Sequence, residues 1–364
     1  MKAVIFGNGL NIKFGGKDYL NYKILRRGFN LLQQERRSHE VVPPVILQFS
    51  HVMCKEVPKI IEGMYDSTTD DLEDELKRFK KKYESQRISD FGSIGMEDYF
   101  FLLHIIFQYN RAQYKGTDEE EIFSLQIEKE ATECFKDLCL MGIYNNNKIN
   151  MLYKKYPPEF IKFVNQFDHV FTTNYDLNLD NIYSGKVQHI HGQFDVLDQL
   201  YDPKSFRNSL GDDQFNKNHL VNPEKYKYLH STALMCYSGK QKIEQSLAKK
   251  NLNLITIGDI EKVPDSMVNP IAKQLAIEAK KKQLEDTSLQ FQYLKALDNY
   301  NNFTGELTII GLSANNDNHI FRKNSDIAYT YYYFSDEDLA IAKDVLPNSA
   351  VFEPVKNLWD RVHK

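Results

Sequence analysis

Residues 169–192 read HVFTTNYDLNLDNIYSGKVQHIHG. Two short apolar runs, Val170-Phe171 and Val187 to Ile190, each give way to polar groups: Asn174-Tyr175-Asp176 after the first, His191-Gly192 after the second. Short runs rich in β-branched and aromatic residues and bounded by turn-forming residues predict strands, here over 168–173 and 187–190. Alternation along the second strand places His189 and His191 on one face and Ile190 on the other. Polar groups that arrive where a strand stops stand where open α/β sheets bind their ligands.

Working outward, Lys2 to Phe6 (KAVIF) is another apolar run, stopped by Gly7-Asn8-Gly9, and a helical pattern follows from Tyr19 to Arg37. Further strands are expected over 306–312, 327–334 and 350–352, with Ser335 and Asp338 capping a helix over 337–345. Between the first and second strands helical patterns dominate. Leu72, Leu76, Phe79 and Tyr83 recur at helical spacing above a charged, solvated face, and helices are expected over 97–109 and 119–140, the latter ended by Gly142 and the NNNK run. Residues 269–297 also read as helical, and 195–228, rich in Asn, Asp and Gly, as a long surface loop or flap over the site.

Sheet-forming segments at the start, middle and end of the chain with helices between them predict an α/β fold. Its core is a Rossmann-like, mainly parallel sheet with helices on both faces and a large helical insertion. On this reading residues 1–40 and 165–364 form the sheet domain and 41–164 the insertion.

The chain has 364 residues, 42% apolar and 26% charged, which is an ordinary globular composition. A formal charge of −4 argues against neutralising nucleic-acid phosphate as the main task. The four cysteines, Cys54, Cys134, Cys139 and Cys236, form no CxxC pair, so no zinc ribbon or thioredoxin-like motif is visible and they read as reduced core residues of a cytosolic protein. No apolar stretch is long enough to span a bilayer and none resembles a leader segment, so neither a membrane nor export is expected.

Four strand ends carry candidate chemistry. Glycines in Gly7-Asn8-Gly9-Leu10-Asn11 suit the close approach of a diphosphate to backbone N–H groups, or a plain tight turn. The amide of Asn174 suits a ribose hydroxyl or a water, with Asp176 to hold it, or an Asx turn. His191, followed by Gly192, suits proton transfer near neutral pH, while His189 fits a structural, hydrogen-bonded role better. Gly311-Leu312-Ser313-Ala314-Asn315-Asn316-Asp317 offers a second glycine-containing strand end. Asp180 reads as a helix-surface residue.

In this order the four segments resemble the sirtuin-like NAD-hydrolase superfamily, above all the bacterial stand-alone members tied to abortive infection against phage. The resemblance spans both ends and the middle of the chain, and 41–160 carries none of its motifs. It implies that Gly7, Asn8 and Gly9 lie along the pyrophosphate, with Asn11, Thr173 and Gly192 also against the dinucleotide. Asn174 would stand beside the nicotinamide ribose, supported by Asp176. His191 would be the catalytic histidine, and Gly311, Ser313 and Asp317 would face the adenosine side. The substrate would be NAD, no metal would be needed, and the products would be nicotinamide and ADP-ribose. A constitutive hydrolase of this kind would kill its host, so control by self-assembly, by a partner defence protein or by a phage component is expected; the reduced cysteines point to the cytoplasm and the charge to no direct nucleic-acid partner. The chain departs from the protein-deacylating sirtuins in lacking the four zinc cysteines and in having Gly-Asn-Gly for Gly-Ala-Gly. A nucleotide-sensing module, and a deacylase or ADP-ribosyl transferase, are the other readings. His230-Ser231-Thr232 and Tyr237-Ser238-Gly239-Lys240 are familiar from the same defence members, without an assignable role.

Overall fold

The computed structural model describes residues 1–36, 44–68, 73–84, 86–89, 91–96, 98–196, 227–234, 248, 250–264, 267–268, 270–285, 295–314, 317, 319–322 and 324–362. Most of the expected flap, together with Tyr237 to Lys240, Cys236, Asn315 and Asn316, lies outside these residues. Two units emerge: Met1–Gly16 with Asn146–Lys364, and Lys17–Asn145.

The first unit is built on a six-stranded sheet. Its strands are β1 (Lys2–Phe6), β2 (His169–Thr172), β3 (Val187–His189), β4 (Gly305–Ile310), β5 (Ile327–Tyr333) and β6 (Val351–Pro354), each within two residues of its expected place. Every neighbouring pair is parallel and the order is β3-β2-β1-β4-β5-β6, the dinucleotide-binding order. A parallel sheet needs cover on both faces, which is why β1 reads KAVIF with no polar residue after Lys2. Ala3 and Ile5 face a core with Phe171, Tyr300, Leu307, Ile309 and Tyr331. Val4 and Phe6 are equally buried on the other side, where Phe6 meets Phe160 edge to face at 5.8 Å.

The helices of this unit are α1 (Gly9–Gly15), α7 (Pro158–Val164), α8 (Ile257–Glu261), α9 (Pro270–Glu285), α10 (Lys295–Asn301), α11 (Asp336–Val345) and α12 (Val355–Val362). Those of the second unit are α2 (Asn21–Arg36), α3 (Pro44–Ile61), α4 (Glu73–Tyr83), α5 (Asp98–Gln113) and α6 (Leu125–Tyr144). The expected helix over 269–297 is thus α9 and the start of α10. As anticipated, Ser335 caps α11, its hydroxyl accepting from the Asp338 N–H.

The helical unit runs from Lys17 to Asn145 rather than over 41–164, for two packing reasons. Helix α2, which reads like the sheet's own crossover, packs instead along α6: a Cβ on Gly142 would stand 2.4 Å from the Ile24 carbonyl oxygen. Residues 158–164, by contrast, belong to the sheet, because Phe160 fills the space between Phe6, Phe14 and Trp359. Gly142 does not end α6. The helix continues to Tyr144 and stops at Asn145, which takes the left-handed conformation (φ 48°) that Asn tolerates.

Candidate active site at the strand ends

Register brings the strand ends to one level. Phe6, the last residue of β1, pairs with Thr172 on one side and Ile310 on the other; Thr172 pairs in turn with His189. The residues that follow, Gly7, Thr173, Ile190 and Gly311, therefore emerge together along one edge. The strand order reverses between β1 and β4, and there the two glycine segments interlock. Gly7 N–H donates to Ile310 O and Gly9 N–H to Gly311 O, both at 2.9 Å. A Cβ on Gly9 would lie 2.5 Å from the Gly311 Cα, so these glycines are needed for the approach of β4. Leu10 N–H is likewise committed, to Gly7 O at 3.0 Å. These three N–H groups are donated within the protein, so a diphosphate at this loop would draw on other groups.

Beyond β2 the chain is clamped by its own polar side chains. The Thr172 hydroxyl donates to Phe6 O and accepts from Asn174 N–H, each at 3.0 Å. Thr173 N–H continues the ladder to Phe6 O, and the buried Asn174 amide donates to Gly7 O at 3.2 Å. Asp176 is buried beneath this turn. Its Oδ1 accepts from both the N–H and the amide of Asn178, at 3.1 and 2.6 Å, and its Oδ2 accepts from the Asn11 amide at 2.7 Å. The first of these is an Asx turn, the local alternative raised for this carboxylate. Burial raises the Asp176 carboxyl above its ordinary range, against the opposing pull of Asn11, Asn178 and the His189 charge. Asn11 is itself buried, and its Oδ1 accepts from no protein group. It sits beneath the loop as a tie between α1 and Asp176.

His189 has the structural role expected of it, and Asp180 is its partner rather than a bystander on a helix surface. Its Nδ1 lies 2.9 Å from Asn174 O and its Nε2 3.0 Å from Asp180 Oδ2. With Asp180 ionised both partners accept, and a ring that donates to both from its two nitrogens is a cation. Burial pulls its pKa down; the Asp180 hydrogen bond and charge, the Asn174 carbonyl and the Asp176 charge push it up further, and the net direction is up. A raised folded pKa means stability that is fully present below the unfolded value of about 6.5 and lost as pH rises through the folded one, with a slope of at most about 1.4 kcal/mol per pH unit. Melting temperatures measured from pH 6 to pH 9 are expected to fall in the wild type and to fall less steeply in His189→Gln. Equal slopes would exclude the cationic ring.

His191 lies just past β3, buried, with its Nε2 2.8 Å from the Nε2 of His319. Gly192 follows with φ 89°, and a Cβ there would stand 1.9 Å from the Thr232 carbonyl oxygen. The opposing wall is the buried run Ser231 to Leu234, tied to Gln193 by the Thr232 hydroxyl, which accepts from Gln193 N–H at 3.0 Å and donates to Gln193 O at 3.2 Å. The His230-Ser231-Thr232 segment thus has a place: it closes over the His191-Gly192 turn. Leu234 at its end has φ 52°, a conformation costing a non-glycine residue about 1 kcal/mol or more. At the end of β4, Asp317 closes its own turn. Its carboxylate accepts from Ser313 N–H at 3.2 Å, and its N–H donates to Ser313 O at 2.8 Å. That turn carries His319 to His191.

The edge therefore gathers Asn174 and Asp176 from β2, His191 and Gly192 from β3, and Gly311, Ser313 and Asp317 from β4, around the Gly7-Asn8-Gly9 loop of β1. Sequence reasoning missed Asn178 and His319, read Asp180 as a helix-surface residue and gave Thr232 no role. Asn178, two residues beyond Asp176, carried an Asx-turn signal, whereas nothing local marked His319. Among the described residues no cluster of three or more His, Cys, Asp or Glu side chains is arranged to hold a metal ion, and no helix is long and apolar enough to cross a membrane.

Fold and edge together define a Rossmann-like α/β protein with a polar cluster at the topological switch and the strand ends beside it. Compared with family models, with curated proteins and with solved structures, the chain finds no match in any of the three.

Proposed function

We propose that the chain is a sirtuin-like NAD hydrolase that cleaves the nicotinamide–ribose bond to give nicotinamide and ADP-ribose. The observation that carries this reading is the register of Asn174 and His191, which stand just beyond adjacent strands at one level of a sheet whose order is that of dinucleotide-binding folds. In this reading the dinucleotide crosses the β1–β4 switch, with its adenosine half toward Gly311, Ser313 and Asp317 and its nicotinamide ribose toward β2 and β3. The bond to a cationic pyridinium leaves readily, so catalysis consists of stabilising an oxocarbenium-like centre and presenting water to it. Asn174 orients the ribose or the water, His191 takes a proton from a ribose hydroxyl, and Asp176 holds the turn that presents Asn174.

An unrestrained enzyme of this kind would exhaust the NAD of its own cell. We therefore infer an effector of abortive infection in the cytoplasm, held in check by self-assembly, a partner defence protein or a phage component.

Calorimetry with NAD, paired with product analysis in the presence and absence of an acylated peptide, tests the assignment. Binding accompanied by free ADP-ribose without peptide is the expected result. Release only with peptide marks a deacylase, and binding without any product marks a nucleotide sensor.

A further inference from the structure

The His191–His319 contact goes a step beyond this reading and rests on it. The two rings are inclined by only 16° with centroids 5.0 Å apart, while the Nε2 atoms are 2.8 Å apart. The centroid separation exceeds the nitrogen separation by about two ring radii, so the rings lie edge to edge with the nitrogens pointing at each other. An N···N contact of that length needs one N–H donor and one lone pair. One proton therefore sits between the rings, and two imidazolium rings cannot keep the contact.

We propose that His319 is the positioning residue for His191: the N–H···N bond between their Nε2 atoms fixes the orientation of the proposed base's ring. A histidine tied at one nitrogen is held at one ring orientation, and this is how orienting groups serve general bases elsewhere. Here the orienting group is a second imidazole where a carboxylate is more usual. The placement follows from the fold: the Ser313–Asp317 turn at the end of β4 brings a residue 128 positions away to the end of β3.

Nitrogen-15 NMR of histidine-labelled protein, with nicotinamide release from NAD measured on the same samples, tests this in the wild type, His319→Ala and His319→Gln. In the wild type the His191 Nε2 is expected at a shift displaced by an N–H···N bond. In His319→Ala it should move to that of an unbonded ring while resonances elsewhere stay in place. Turnover in His319→Ala should drop about tenfold or more with KM within about twofold, and the amide of His319→Gln should restore part of it. Unchanged His191 nitrogen shifts in His319→Ala would overturn the shared proton, and unchanged kcat would overturn the positioning role. If the wild type itself releases no nicotinamide, the hydrolase assignment fails while the nitrogen shifts still decide the pairing.

Discussion

Alanine at position 192 is expected to lower the stability of the sheet unit by about 3 kcal/mol or more, among the largest effects of a single methyl group. Two costs combine. The backbone at φ 89° is strained for any residue with a Cβ, by roughly 1–3 kcal/mol. The added carbon would also stand 1.9 Å from the Thr232 carbonyl oxygen, and backbone on both sides leaves no flexible side chain to yield. Relief requires moving the Ser231–Leu234 wall away from the His191 turn, so activity should fall with stability. The chain's single tryptophan, Trp359, is buried in the sheet unit against Phe14 and Phe160, and its fluorescence reports that unit's unfolding in urea. Coincident urea midpoints for wild type and Gly192→Ala would show that the turn is not packed as described.

The second large effect is on chemistry. His191→Ala and Asn174→Ala are each expected to cut nicotinamide release at least about a hundredfold, the scale on which general bases and preorganised polar groups contribute. Each substitution also carries a stability cost. Asn174 donates to Gly7 O, which keeps the Leu10 N–H as a second donor, so loss of the amide should cost about 0.5–1.5 kcal/mol. His191→Ala removes the Nε2–Nε2 contact with His319. Single-turnover rates and urea midpoints measured together separate the two contributions. Turnover retained in His191→Ala would remove that residue from the mechanism.

The sheet was legible because each strand is a short apolar run that stops at a turn-forming residue, and six such runs separated by helical patterns leave few arrangements open. The polar strand ends were legible for the same reason: Asn174 and His191 stand where apolar periodicity breaks. What lay hidden depends on which ends meet. Asn11 and Asp176 are 165 residues apart and His191 and His319 are 128 apart, and only the strand order joins them. The glycine loop illustrates a different limit. Gly7 and Gly9 suit a phosphate cradle and equally suit the close approach of Gly311, and residue type alone does not separate the two uses. The unit boundary was misplaced at 41 because a helix following a strand reads as that sheet's crossover, while its glycine-lined face is made for α6.

Nicotinamide release from NAD by the purified chain, with no acylated peptide present, tests the hydrolase assignment most directly. Release by the wild type that disappears in both His191→Ala and Asn174→Ala is the predicted result. Neither release nor calorimetric binding of NAD by folded wild-type protein would contradict it.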